Sequence, residues 1–399
     1  MRVVLMNQFC APSPAPTGQL LADVAREIAA RGHSASVVCA TKAPSASSVR
    51  ILHAPCAPFS RSRSGRLLSY ASFYLGALWH GLWASGTDVV VTLTTPPLLC
   101  LIGTLLKKVR GARHYIWEMD VYPDIAEAVG VLAPGSLLAR IIGALADYSR
   151  RRADGVIALG PCMRRRLIAR GVSARRIRTV ENWADSARIR PQPFPPPEPL
   201  VLLYSGNLGL AHDTDTIAAA MDRLKDDTRF RFVFAGGGVR RAALQTFCRS
   251  RGVANVRWMS YQDQEDLPEH LAACHVGLVT QAPASLGAVV PSKLYALMAS
   301  GRPVLFIGPR QATPAGVIAR FRCGWQIDPG NPSALTDLLR LLASSPQLVE
   351  EAGARSRKAL VARYDLRLGV SNILAVLGIA PTRRGCFPHE TPRTLAGLT

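Results

Sequence analysis

The stretch "VVPSKLYALMASGRPVL", Val289 to Leu305, decides the fold. Pro291-Ser292 marks a helix start, with Ser292 as the expected N-cap. Leu294, Leu297 and Met298 then recur at i, i+3 and i+4 on one apolar face. Gly301 suits the left-handed position that ends a helix, and Pro303 forbids continuation. Val304-Leu305-Phe306-Ile307 reads as a buried strand. A helix that stops at glycine and feeds an unbroken apolar strand is the repeating unit of a covered parallel sheet. Lys293 is the misfit. A cation in the first helical turn meets the positive end of the helix dipole and costs about 0.3–1 kcal/mol unless an anion sits there.

The same unit repeats on either side. Upstream of this stretch, "LVLLYSG", "FRFVFAGGG", "NVRWMS" and "VGLVT" alternate with helical patterns such as "DTDTIAAAMDRL" and "VRRAALQTFCRSRG". Near the start, "VVLM" leads to a helix whose Leu21, Val24, Ala25, Ile28 and Ala29 form a stripe ending at Gly32. "SASVVCA", "DVVVTL", "HYIWEM" and "GVIAL" supply further strands between helices. Between the two series, "RIRPQPFPPPEP", Arg188 to Pro199, is half proline and reads as a stiff extended connector. The expected organisation is α/β throughout: a Rossmann-like domain over 1–187, a linker over 188–199 and a second Rossmann-like domain over 200–364. Helix follows over 365–380, with a disordered tail over 381–399. Ligands in such sheets bind beyond the carboxyl ends of the strands, so a cleft between the two domains is the expected site.

At 399 residues, two domains are the natural division, and 48% hydrophobic against 19% charged residues describes a globular chain. The net charge of +21 fits nucleic acid, a membrane surface, anionic substrates, or simply an arginine-rich composition. No RNP, helix-turn-helix or zinc signature accompanies it, so no nucleic-acid partner is expected. Nine cysteines show no CxxC pair and no metal-ligand spacing, which favours reduced thiols and no metal site. "MRVVLMNQF" is too short an apolar run for a signal peptide and reads as a first strand. "LLSYASFYLGALWHGLWA", Leu67 to Ala84, is uncharged and preceded by "RSRSGR". It reads as a domain helix, with an alternative in which surface-facing Tyr70, Phe73, Trp79 and Trp83 dip into a bilayer.

Glycine or proline follows several strands, in "APTG", "TTPP", "SGNLG" and "AGGG", but neither a P-loop nor a GxGxxG fingerprint opens a βαβ unit. "DTDT", Asp213 to Thr216, reads as a helix start and not as a metal-binding acidic pair.

Five blocks in their order carry a family resemblance: "PTGQLLADVAREIAARGHSASVV", "TPPLLCLIGTLLKKVRGARHYIWEMDVYPDIAEAVGVL", "ADGVIALGPCMRRRLIARGVSARRIRTVENWAD", "LYSGNLG" and "VPSKLYALMASGRPVL". Together they resemble the GT-B glycosyltransferases, specifically the retaining family 4 enzymes that build bacterial surface polysaccharides. The resemblance implies a UDP- or GDP-linked sugar donor in the second domain and an acceptor in the first, with the C-terminal helix crossing back. It implies a polyprenyl-diphosphate-linked or glycan acceptor and a cytoplasmic enzyme peripheral to the inner face of the membrane. Neither cofactor nor metal would be needed.

Under that resemblance the donor diphosphate would lie against Ser292 and Lys293, with Gly206 and Asn207 offering N–H groups across the cleft and Gly18 allowing close approach. Lys293 and Asp120 would be catalytic, Lys293 by stabilising charge on the leaving group and Asp120 by orienting or deprotonating the acceptor. Glu118 shares the acceptor-side block with Asp120. Trp258 and Tyr261 would flank the nucleotide base, although Trp258 reads equally well as core. Family members carry two glutamates at the positions of Ala288 and Ala296, and basic residues at Asn207 and near His212. Their loss leaves open a catalytically inactive, nucleotide-binding scaffold.

Overall fold

The computed structural model describes residues 1–11, 16–41, 48–57, 63–84 and 86–380. The expected disordered tail, 381–399, lies outside the described residues. The first half runs β1 (Arg2–Met6), α1 (Pro16–Ala30), β2 (Ser34–Cys39), β3 (Val49–His53), α2 (Arg63–Trp83), β4 (Val89–Thr92) and α3 (Cys100–Arg110). It continues through β5 (Arg113–Glu118), α4 (Asp124–Ala128), α5 (Leu137–Arg152), β6 (Gly155–Ala158), α6 (Pro161–Ala169) and β7 (Ile177–Thr179). The strands form one parallel sheet in the order β3-β2-β1-β4-β5-β6-β7.

The second half runs β8 (Leu200–Ser205), α7 (Asp215–Arg223), β9 (Phe230–Ala235), α8 (Val239–Arg251), β10 (Val256–Met259), α9 (Leu267–Ala272) and β11 (Val276–Thr280). Then come α10 (Lys293–Ala299), β12 (Val304–Ile307), α11 (Thr313–Phe321), β13 (Gly324–Ile327), α12 (Pro332–Ser344), α13 (Pro346–Ala359) and α14 (Leu366–Val376). Its strands are also all parallel, in the order β10-β9-β8-β11-β12-β13. Each sheet is apolar on both faces, and each face has its own buried cluster. That is why the strands are continuous runs such as "VVVT" and "VLFI" with every residue buried. In each half the chain winds outward for three strands and then returns to the other side of the first. The loops after β1 and β4, and after β8 and β11, therefore stand at the switch points, the places where sheets of this kind bind ligands.

The halves are tied together near those points. Val121 N–H donates to the Ala288 carbonyl (2.8 Å), Asp120 forms an antiparallel bridge with Val289, and Cys162 Sγ lies 3.0 Å from Thr313 Oγ1. α14 leaves the second half and buries Val370, Ile373, Leu374 and Leu377 in the core of the first. The proline-rich connector is strapped down: the buried Arg302 guanidinium lies 4.1 Å from the Phe194 ring centroid and donates to the Pro193 carbonyl (2.9 Å).

Two expectations are corrected here. Phe73 is fully buried against the sheet while Trp79 and Trp83 face outward, because α2 keeps one apolar side for the core. Gly18 lies inside α1, not in a loop, and a side chain there would press on the Cys10 backbone at 3.0 Å. Its smallness seats the helix on that loop. The strands β3, β7 and β13 escaped the sequence reading because each is short and sits near a sheet edge, where half-polar sequences such as "VRILH" pair without an apolar run.

Candidate active site

Two glycine-containing loops meet at the carboxyl ends of β8 and β9. Gly206 N–H donates to the Ala235 carbonyl (2.8 Å), Leu208 N–H to the Gly237 carbonyl (2.7 Å) and Arg240 N–H to the Leu208 carbonyl (3.1 Å). Backbone lies on backbone there. Gly236 and Gly238, at φ of +117° and +118°, face the Gly206 and Leu208 main chain where no side chain fits. Tyr261 leans over this notch, its ring 3.1 Å from where a Gly237 side chain would begin.

Lys293 enters the notch from the second-domain cleft wall. Its Nζ lies 5.0 Å from the centroid of the Tyr204 ring and 3.5 Å from the Asn207 carbonyl, and its Cε packs against Gly206. Among the described residues no carboxylate pairs with it. Burial lowers its pKa to about 8, so it stays a cation at neutral pH although poorly solvated. His212 shares this corner, its ring edge-on to Tyr204 and its Nδ1 2.8 Å from the Thr280 carbonyl. Burial, then the nearby Lys293 charge, pushes its pKa down to about 3, so the imidazole is neutral. Arg240, from the first turn of α8, adds a second positive charge that His212 feels.

The opposite side of the cleft carries Asp120. Its N–H donates to Thr94 Oγ1 (3.2 Å), and its bridge to Val289 places it four residues from Lys293 in the facing segment. Its carboxylate has no hydrogen-bond partner among the described residues. Burial first, then repulsion from Glu118, raises its pKa to about 6. Beyond it lies Tyr122, whose phenol pKa is raised by burial first and then by the Asp120 carboxylate.

Several expected roles change. Ser292 is not an N-cap: its backbone is already helical and its side chain accepts no capping bond. Gly206 does not offer its N–H to the cleft, because that donor is bound to Ala235. Glu118 is not exposed toward an acceptor. It is 1% exposed and held by Arg150 through Nε (2.6 Å) and a second nitrogen (3.3 Å), because strand alternation turns it into the protein. Trp258 is partly buried, stacked at 5.0 Å on Phe234 and packed against the core, while Tyr261 stands exposed at the notch. Ala288 is fully buried and Ala296 half-buried, so neither position presents a polar group. Tyr204, His212, Arg240 and Tyr122 were missed as site residues. Only the glycine motifs hinted at the first three, since proximity between separate loops leaves no local signal. No group of three or more His, Cys, Asp or Glu among the described residues is arranged to hold a metal ion.

Comparison with known proteins gives this geometry its context. Residues 17–183 match the family model described as glycosyl transferase 4-like domain, and residues 185–359 match glycosyl transferases group 1. WbjE of Pseudomonas aeruginosa, named as a glycosyltransferase, is 28% identical over 71% of this chain and 74% of its own length. WcaI of Escherichia coli K12, named for colanic acid biosynthesis, is 29% identical over 63% of this chain and 64% of its own length. Among solved structures, sucrose-phosphate synthase of Thermosynechococcus elongatus superposes with a TM-score of 0.78 at 14% identity, covering 95% of this chain and 98% of that one. HepE of Anabaena, solved with UDP-glucose, gives 0.71 at 15% identity, covering 95% of this chain and all of that one. Both sheets, their order and the cleft between them are those of the GT-B fold. With the two matched segments adjoining and spanning nearly all of the described chain, the protein belongs to the two-domain glycosyltransferases that pair a 4-like domain with a group 1 domain.

Proposed function

We propose that the chain transfers a sugar, with retention of anomeric configuration, from a UDP- or GDP-linked donor to a polyprenyl-diphosphate-linked or glycan acceptor in cell-surface polysaccharide assembly. The observation that carries this reading is Lys293, a cation without a carboxylate partner among the described residues, packed on Gly206 where the two glycine loops meet. The UDP-glucose bound by HepE and the naming of WcaI support the donor class and the setting.

In this reading the donor base sits by Tyr261 and the Gly236–Gly238 loop, and the diphosphate lies against Lys293 with Arg240 nearby. Charge builds on the leaving diphosphate as the glycosidic bond breaks, so a fixed cation there lowers the transition state more than the ground state. Lys293 supplies that charge without a metal ion. Neutral His212 lines the pocket without adding repulsion between cations. Asp120, largely ionised at neutral pH, faces the acceptor side and orients its hydroxyl, and either Asp120 or the departing phosphate oxygen accepts the proton.

Purified protein incubated with labelled UDP- and GDP-sugars and a membrane lipid extract tests the reading. Transfer of label to lipid or glycan from one donor, lost in Lys293→Ala, is the expected result. Ala288 and Ala296, standing where the family resemblance implies glutamates, favour a second reading as a nucleotide-binding scaffold without turnover. Donor-induced thermal stabilisation with neither transfer nor hydrolysis would establish it instead.

A further inference from the structure

The α2, α3 and α5 helices lie side by side on one face of the first sheet, with α3 against both of the others. More than half of the exposed large hydrophobic side chains among the described residues lie on these three helices. Leu75, Trp79 and Trp83 stand out from α2, Val109 from α3, and Ile141 and Tyr148 from α5. Trp79 and Trp83 are 62% and 69% exposed, with ring centroids 5.3 Å apart. So many exposed apolar side chains on three helices packed side by side are more than water-facing helices ordinarily leave bare.

Its charge says what covers it. Lys108, Arg110, Arg140, Arg151 and Arg152 are exposed on the same helices. The one acid among the described residues of the three helices, Asp147, is taken up by Arg150 and Arg170 at 2.8 Å each. A second copy of this chain would set like charge against like charge. Tryptophan and tyrosine interspersed with Arg and Lys instead suit the boundary between acyl chains and anionic headgroups. No described helix is long and apolar enough to cross a membrane, so contact is made from the surface.

We infer that the α2–α3–α5 face docks the first domain onto an anionic lipid bilayer, which gives the lipid-linked-acceptor reading above its physical location. α2 also meets the loop after β1 at one of the switch points, where the Gln8 amide donates to Ser69 Oγ (3.0 Å). Docking would thus bring the acceptor wall of the cleft to the bilayer surface.

The test is flotation of the full chain with vesicles of phosphatidylcholine alone and of phosphatidylcholine mixed with phosphatidylglycerol. Binding to the mixed vesicles and not to the neutral ones, weakening as salt rises, is expected. Trp79→Ser combined with Ile141→Ser should lower that binding by about tenfold or more through lost apolar burial. Lys108→Glu with Arg140→Glu should lower it by at least about fivefold per residue. Each variant should keep the melting temperature and the UDP- or GDP-induced stabilisation of the parent, since none of these residues lines the cleft. No binding to mixed vesicles, or binding unchanged in both variants, overturns the proposal. So does a parent that is a dimer and becomes monomeric in the variants while vesicle binding persists. Because nucleotide stabilisation is read without lipid, failure of the docking face is distinguishable from failure of the donor site.

Discussion

A lysine ammonium packed on a glycine backbone and a tyrosine face, with no carboxylate beside it among the described residues, is partly desolvated without a fixed counter-charge. A bound diphosphate would supply that charge. Replacing Lys293 by Ala should therefore lower kcat by about 100- to 1000-fold, as loss of one transition-state donor does, and should weaken nucleotide-induced stabilisation as well. The sign with pH follows from the lowered pKa. The ammonium is present below about 8 and lost above it, so affinity for the nucleoside diphosphate should fall as pH rises through that value. Lys293→Arg, which stays charged, should flatten the dependence in calorimetric titration. Asp120 behaves oppositely. Its carboxyl ionises at about 6, so turnover should climb as pH rises through that value. Asp120→Asn should abolish that limb of the pH–rate profile and lower kcat by about 100- to 10,000-fold if the carboxylate takes the acceptor proton.

Between elements, the site depends on close backbone approach and on one buried ion pair. Gly206 has φ of +125°, and a Cβ added there would stand 2.7 Å from Lys293 Cε. Gly206→Ala should cost about 1–3 kcal/mol of stability and displace the lysine, read together as a lower urea midpoint and a weaker nucleotide response. Under Asp120, the pair between β5 and α5 is almost wholly enclosed, with Arg150 3% and Glu118 1% exposed. Arg150→Met leaves an uncompensated buried carboxylate and should cost about 3–5 kcal/mol. Adding Glu118→Leu should recover much of that loss, as chemical denaturation of the single and double variants would show.

At the scale of the whole molecule, the chain ends by stabilising its beginning. α14 places Val370, Ile373 and Leu374, each almost without exposure, in the core of the first domain, and Gly369 lies beneath the Trp183 ring. Truncation after Asp365 should therefore unfold the first domain preferentially. Limited proteolysis would then release fragments from residues 1–180 while the 200–360 region survives.

The alternating pattern of strands and helices was legible in the sequence because local rules write it: unbroken apolar runs for strands covered on both faces, a 3.6-residue stripe for helices, glycine at their ends. The position of Lys293 in a first helical turn was legible too, since the local pattern starts the helix there. The edge strands β3, β7 and β13 were not, because at a sheet edge pairing with a neighbour supplies what the sequence lacks. The fates of Glu118 and Asp120 show the limit best. Two carboxylates, two residues apart on one strand end, look alike in the chain. Only the packing of α5 places Arg150 against Glu118 and buries the pair, and only the contact with Val289 brings Asp120 to the facing domain. The sequence by itself determined the helices and central strands and their parallel, twice-wound arrangement, but not the edge strands. Tertiary structure alone decided which polar groups were neutralised and which were left to act, because charge pairing depends on distances between segments that no local pattern encodes.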